Sequence, residues 1–145
     1  MTRGFFWDAV EAGRSLCPAG ELLGWKMVEA DPAAGTLRVQ FEARSAFLNP
    51  AGVVQGGFLA AMLDETFSPA VAACLQPDEF PVTLEMKISF VAPARMGTLI
   101  GEARVVNQGK SICFLEGKLS DLEGRLVVTG TATALVQRKR SDTGD

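Results

Sequence analysis

The chain has 145 residues, 48% of them hydrophobic, which suits one domain whose core needs no disulfide or metal. It contains no histidine; that excludes Ser-His-Asp and Cys-His catalysis, His-ligated zinc and imidazole acid/base work, and leaves a carboxylate as first candidate for proton transfer near neutral pH. A net charge of −3, from 14 basic and 17 acidic residues, supplies no basic field for nucleic acid.

Cys17, Cys74 and Cys113 are odd in number and widely spaced, which fits neither a disulfide framework nor a CxxC motif; they read as reduced thiols. Arg3, Asp8, Glu11 and Arg14 interrupt any signal-peptide core, and no charge-free run of about 18 apolar residues follows. A cytoplasmic protein is expected, with no membrane or nucleic-acid partner and no metal or other cofactor.

Taken in chain order, the amphipathic stretch Phe5 to Ala12 predicts a short helix, broken at Cys17-Pro18-Ala19-Gly20. Leu22 to Val28 and Thr36 to Ala43 predict a β-hairpin turning at Asp31-Pro32-Ala33-Ala34-Gly35. A loop from Ser45 to Gln55 leads into Gly56 and Gly57. Phe58 to Leu75 then predicts a helix that is apolar on every face and therefore buried all round. Thr83 to Val91 alternates Leu84, Met86, Ile88 and Phe90 with Thr83, Glu85, Lys87 and Ser89, a strand pattern. Thr98 to Val106 and Ser111 to Leu119 form a hairpin around Asn107-Gln108-Gly109-Lys110, and Arg125 to Val136 is the last strand. In that strand Gly130, Ala132 and Ala134 share one face, which lets another element approach closely. About six strands and one long helix give an α+β domain, an antiparallel sheet around that helix. A single domain over 1–145 is expected, with a helical segment over 1–20 and a disordered tail over 137–145.

Asp64 and Glu65 fall in the middle of the buried helix, where an ionised carboxylate is costly unless something offsets its desolvation. Either one reaches solvent or caps a neighbour, or one faces a cleft and does chemistry. Successive helical residues point about 100° apart, so only one of the two faces a given cleft. Asp64 shares a stripe with Ala60, Ala61 and Ser68, and Glu65 with Ala61, Met62 and Pro69. Pro69 removes the hydrogen bond to the Glu65 carbonyl. Gly56 and Gly57 open the helix, where unpaired N–H groups and the positive end of the dipole suit an anion, or simply a tight turn. The run does not match the phosphate-binding GxxxxGK[ST] pattern.

Asn49-Pro50-Ala51-Gly52-Val53-Val54-Gln55-Gly56-Gly57, followed by a helix with Asp64 seven residues after the second Gly, resembles the signature of the hot-dog fold acyl-CoA thioesterases of the PaaI-like branch. The similarity continues through Thr83 to Ala94, Gly109-Lys110-Ser111 and Gly124 to Leu135, covering roughly residues 35–136. The resemblance implies hydrolysis of acyl-CoA thioesters by a homodimer or a dimer of dimers. It implies Asp64 as nucleophile or general base, Gly56 as backbone donor to the thioester carbonyl, Asn49 as a positioning group and Thr83 as the residue orienting the attacking water. Gln55 stands where this family usually carries His; its amide donates a hydrogen bond but carries no charge and transfers no proton. Gly57, Glu65 and Phe58 are expected to bind substrate. Lys110 between Gly109 and Ser111, with Arg138-Lys139-Arg140, is a candidate for the CoA phosphates or an ordinary solvated turn and tail.

Independently of any family, Gly56 and Asp64 are eight residues apart on one helix, about 12 Å, whereas an oxyanion donor and a catalytic carboxylate must both lie about 3 Å from one reacting centre. A two-fold oligomer is therefore required if both act on one carbonyl. A non-catalytic acyl-CoA binding module, motivated by Gln55, is the alternative. A hydratase or dehydratase is disfavoured because such relatives pair the carboxylate with a histidine. Phe58, Met62 and Phe67 favour an apolar or aromatic acyl tail.

Overall fold

A computed structural model describes residues 4–140 of the chain. Its elements are α1 (Phe5–Glu11), α2 (Pro18–Leu22), β1 (Lys26–Asp31), β2 (Thr36–Ala43), a 3-10 turn (Ser45–Phe47), α3 (Gly56–Ala72), β3 (Glu79–Phe90), β4 (Gly97–Gln108), β5 (Ile112–Asp121) and β6 (Leu126–Arg138). The six strands make one antiparallel sheet in the order β1-β2-β4-β5-β6-β3, and α3 packs on one face of it against β2, β3, β4, β5 and β6. This is the hot-dog arrangement that the resemblance implies.

Several details differ from expectation, each for a local reason. Pro18 begins α2 instead of breaking the chain, because it occupies the first helical position, where its missing N–H has no intrahelical role. The Cys17 thiol caps the same helix by accepting from the Gly20 N–H at 3.4 Å. Leu22 thus ends a helix, Gly24 turns the chain at φ 71°, and β1 starts only at Lys26. At the other end β6 runs to Arg138, into the stretch expected to be tail, because the early start of β3 gives it partners: Glu79 opposes Arg138. Residues 141–145 of that expected tail lie outside the described residues.

The packing of α3 is set by missing side chains. Gly101 on β4, Gly117 on β5 and Gly130 on β6 lie under successive contacts of the helix. A methyl on Gly117 would sit 2.8 Å from the Phe67 ring and 2.7 Å from the Glu102 carbonyl oxygen. One on Gly130 would sit 2.7 Å from Leu63 Cδ2, and one on Gly101 would collide with Thr66. Gly117 and Gly130 are register partners, so the helix rests on a two-strand depression. Thr66 is buried in this seam with its hydroxyl donating to the Met62 carbonyl at 2.8 Å, one turn back.

With Leu63, Thr66 and Phe67 turned into the sheet, the opposite stripe of α3 is left uncovered. Gly57 and Ala61 are exposed, and Ala60, Asp64 and Ser68 are half-buried. The expectation of a helix buried all round is corrected here: sheet and N-terminal segment cover most of the circumference, and one stripe of small residues plus Asp64 stays open.

Gly117→Ala is expected to lower the unfolding free energy by about 1–3 kcal/mol through overpacking against Phe67. The check is a fall in the urea midpoint with an unchanged m-value. An unchanged midpoint would show that Phe67 and the Glu102 backbone both give way freely.

Candidate active site

Asp64 projects from the open stripe of α3 toward β3, where the Thr83 hydroxyl donates to its Oδ1 at 2.7 Å. Thr83 reaches it because the register of β3 against β6 slips between Thr83 and Glu85. Such a bulge re-aims the side chains beside it. It leaves Leu84, the extra residue, 56% exposed. Asp64 and Thr83 are the pair of predicted residues that the fold brings into direct contact.

The start of α3 lies at a separate place. Gln55 is its N-cap, with backbone φ −59° and ψ 135°, and its carbonyl accepts from Phe58 and Leu59 at 3.0 and 3.3 Å. Its side chain makes no capping hydrogen bond and is exposed. Gly56 and Gly57 occupy the first two helical positions, whose amides have no intrahelical acceptor. A Cβ on Gly57 would meet nothing, whereas one on Gly56 would touch the Phe90 ring at 3.2 Å. Asn49 stands further back and spends its side-chain oxygen on the loop, accepting from the Ala51 and Val53 amides at 3.0 and 3.2 Å. Its expected role in positioning substrate therefore rests on the remaining NH2 group. Phe58 stacks on Phe47 with ring centroids 4.3 Å apart, and the Arg44 guanidinium lies 4.9 Å from the Phe47 centroid.

Glu65 points elsewhere. Its carboxylate lies 3.6 Å from the Cys17 Sγ through both oxygens, against α2. The carbonyl that Pro69 leaves without its helical donor is taken by the Trp25 indole N–H at 2.9 Å. Burial pushes the Glu65 carboxyl above its ordinary range; the Cys17 contact opposes this and the Asp64 charge adds to it. The expectation that Glu65 binds substrate is not supported by this placement, which makes it a strut under the N-terminal segment. Burial also raises the thiols of Cys17, Cys74 and Cys113, which keeps them protonated and poorly nucleophilic at neutral pH. The roles of Cys17 and Trp25 were not legible in advance, although the carbonyl freed by Pro69 signalled that some donor had to arrive.

Gly109, Lys110 and Ser111 form the β4–β5 turn, where Gly109 donates to the Ile112 carbonyl at 2.8 Å and the Ser111 carbonyl accepts from Val136 at 2.7 Å. Arg138 meets Glu79 at 3.5 Å and the Lys139 amide donates to Asp78 at 2.8 Å, so part of the basic run belongs to the sheet end. A cavity of about 860 Å³ lies on the other face of the sheet, lined by Arg38, Glu102, Lys118, Thr131, Lys87 and Ser89 among others. It is the saddle of a curved sheet crossed by ion pairs such as Arg38–Glu102 at 3.0 Å, and it contains none of Gly56, Asp64 or Thr83. No helix among the described residues is long and apolar enough to cross a membrane.

The family model of the thioesterase superfamily matches residues 51–128, from the loop before α3 into β6. The chain is 27% identical over 120 residues to the 1,4-dihydroxy-2-naphthoyl-CoA hydrolase of Listeria monocytogenes, covering 83% of this chain and 96% of that one. It is 26% identical over 110 residues to human acyl-coenzyme A thioesterase 13, covering 74% and 78%. Among solved structures it resembles a phenylacetic acid degradation-related protein of Ralstonia eutropha JMP134, with a TM-score of 0.86, 39% identity and coverage of 91% and 99%.

The raised carboxyl of Glu65 has a defined sign in stability. The native state holds this proton more tightly than the unfolded chain, so the group's contribution falls as pH rises from the ordinary value of 4.5 through the raised one. Glu65→Gln is expected to remove that slope, gaining on the native protein across this window and levelling above it. Urea unfolding at stepped pH measures the difference, and parallel curves for the two proteins would refute the assignment.

Proposed function

The chain belongs to the thioesterase superfamily, and from that premise we propose that it hydrolyses acyl-CoA thioesters to the free acid and CoA, with Asp64 as the reacting carboxylate. The observation that carries this reading is the Thr83–Asp64 hydrogen bond on the one uncovered stripe of α3. A carboxylate oriented by a hydroxyl, yet open to an incoming ligand, is equipped to act as base or nucleophile. As base, Asp64 takes a proton from water whose oxygen bonds to the acyl carbon; the C–S bond breaks and the proton passes to the departing thiolate. As nucleophile, it forms a mixed anhydride that water then opens, with the same products. In both routes negative charge develops on the carbonyl oxygen, and the free Gly56 N–H at the positive end of α3 suits it. Gln55 adds an amide donor beside that point, and Asn49 shapes the loop that presents both.

The two halves of this machinery contact β3 at different places: Asp64 at Thr83, in its first half, and Gly56 at Phe90, its last residue. β3 is an edge strand of 12 residues whose outer rim has no partner strand among the described residues. Joining two such rims antiparallel about a two-fold axis sets the Phe90 end of one protomer beside the Thr83 end of the other. The Gly56 amide of one copy then faces the Asp64 carboxylate of its partner, and the stripe of Gly57, Ala60 and Ala61 is covered. A homodimer, or a dimer of dimers, is the assembly this reading requires. The CoA phosphates fall to exposed basic groups, with Lys110 in the Gly109–Ser111 turn and the Arg138-Lys139-Arg140 run as candidates.

Asp64→Asn is expected to reduce kcat by about 10²–10⁴ while acyl-CoA binding persists. Thr83→Ala should cost less and Thr83→Ser should largely restore it, because the hydroxyl is the working part. Thiol release from a panel of acyl-CoAs measures all three; full turnover in Asp64→Asn would sink the assignment. Acyl-CoA binding by a wild type that releases no thiol would instead favour a binding module disabled at Gln55. Light scattering tests the assembly, with a dimer or larger species expected, and an active monomer would exclude the shared site.

A further inference from the structure

Phe90 ends β3 opposite Val128, on the side of the sheet that faces α3. The tip of its ring lies 3.2 Å, and its flanks 3.3 and 3.8 Å, from where a Gly56 Cβ would stand. One part of the ring is therefore seated on the helix start, yet the residue remains 55% exposed. Its backbone has no freedom to hide it, since the ladder continues past it with Val91 donating to the Val127 carbonyl at 2.9 Å. An aromatic side chain exposed beside a helix N-terminus is costly in water and suits an apolar ligand.

Covalent geometry puts the Gly56 nitrogen about 2.5 Å from its own Cβ position, so the ring lies within about 6 Å of that amide. A carbonyl oxygen accepting from the amide at about 2.9 Å brings the first acyl carbons into van der Waals reach of Phe90. We propose that Phe90 is the specificity-determining wall of the acyl site, admitting a flat acyl group against its ring and rejecting one branched next to the carbonyl. The inference rests on the hydrolytic reading above and adds to it the residue that selects the acyl group. A ring gains most from another planar π-system laid against it or at its edge. A tetrahedral, branched carbon at the same point projects a methyl into the ring of Phe90, whose backbone the ladder beyond it holds in place.

The test compares wild type, Phe90→Leu and Phe90→Ala on benzoyl-CoA, hexanoyl-CoA and 2-methylbutanoyl-CoA, with Asp64→Asn alongside. Wild type should prefer benzoyl-CoA. Both Phe90 variants should lose about tenfold in kcat/KM on it, mostly through KM, lose distinctly less on hexanoyl-CoA, and gain on 2-methylbutanoyl-CoA. Phe90→Leu keeps an apolar side chain of similar bulk, so its loss isolates the flat ring from the fold. Equal losses on all three substrates, or a change in oligomeric state by light scattering, would overturn the wall and reassign Phe90 to packing; the hydrolytic reading would survive if Asp64→Asn is still silent. If wild type turns over none of the three, the hydrolytic reading fails first and this inference falls with it.

Discussion

Everything at the candidate site follows from how closely α3 approaches the sheet. Three strands offer glycine where the helix descends, and Leu63, Thr66 and Phe67 fill the space that side chains at 130, 101 and 117 would otherwise occupy. Thr66 and Phe67 lie three and four residues after Leu63, so together they fix the rotation of the helix about its own axis. Once that rotation is fixed, Asp64 has to emerge beside the sheet's edge strand, and Gly57, Ala61 and Ser68 have to share its stripe. A bulkier residue in the seam would therefore alter the site by turning the helix, without touching a reacting group.

Asp64 and Glu65 are neighbours in sequence with opposite circumstances. Asp64 meets a hydroxyl on the open side, whereas Glu65 is pressed under α2 against a thiol, with its carboxyl raised by burial. Environment alone separates the two groups, one available to a ligand and the other serving as internal support. Pro69 contributes to that support by a loss: it withholds one helical hydrogen bond, and the vacant carbonyl becomes the docking point for Trp25. The N-terminal segment is thus attached to α3 through a defect in the helix's own hydrogen bonding.

Much of this was legible from residue pattern. Alternation between Thr83 and Phe90 marked the strand, the small residues Gly130, Ala132 and Ala134 marked the face that meets the helix, and two adjacent carboxylates in an apolar helix marked the place to look for chemistry. What escaped the pattern was what depends on contacts far apart in sequence. Pro18 reads as a breaker until Cys17 is seen capping the turn behind it. Glu79 to Val82 lack clean alternation and become strand only because β6 continues opposite them. An apolar helix reads as buried on all sides, since sequence does not reveal how much of its circumference a curved sheet covers. The identity of the residue seated on Gly56 was equally hidden, because Phe90 belongs by periodicity to the core-facing set and only its position at the strand's end leaves it open.

The attachment of the N-terminal segment also has an optical consequence. The chain has two tryptophans and no tyrosine, so emission excited at wavelengths beyond phenylalanine absorption comes from indole alone. Both indoles donate to carbonyls of α3 or its C-cap: Trp25 to Glu65 at 2.9 Å and Trp7 to Ala73 at 3.2 Å. Trp25 and Trp7 also flank Phe6, with centroids 6.5 and 4.9 Å from its ring in edge-on geometry. The protein thus carries its own fluorophores at both fastenings of one segment. Release of that segment from the helix moves both into water and shifts their emission to the red, so undocking is visible without any label.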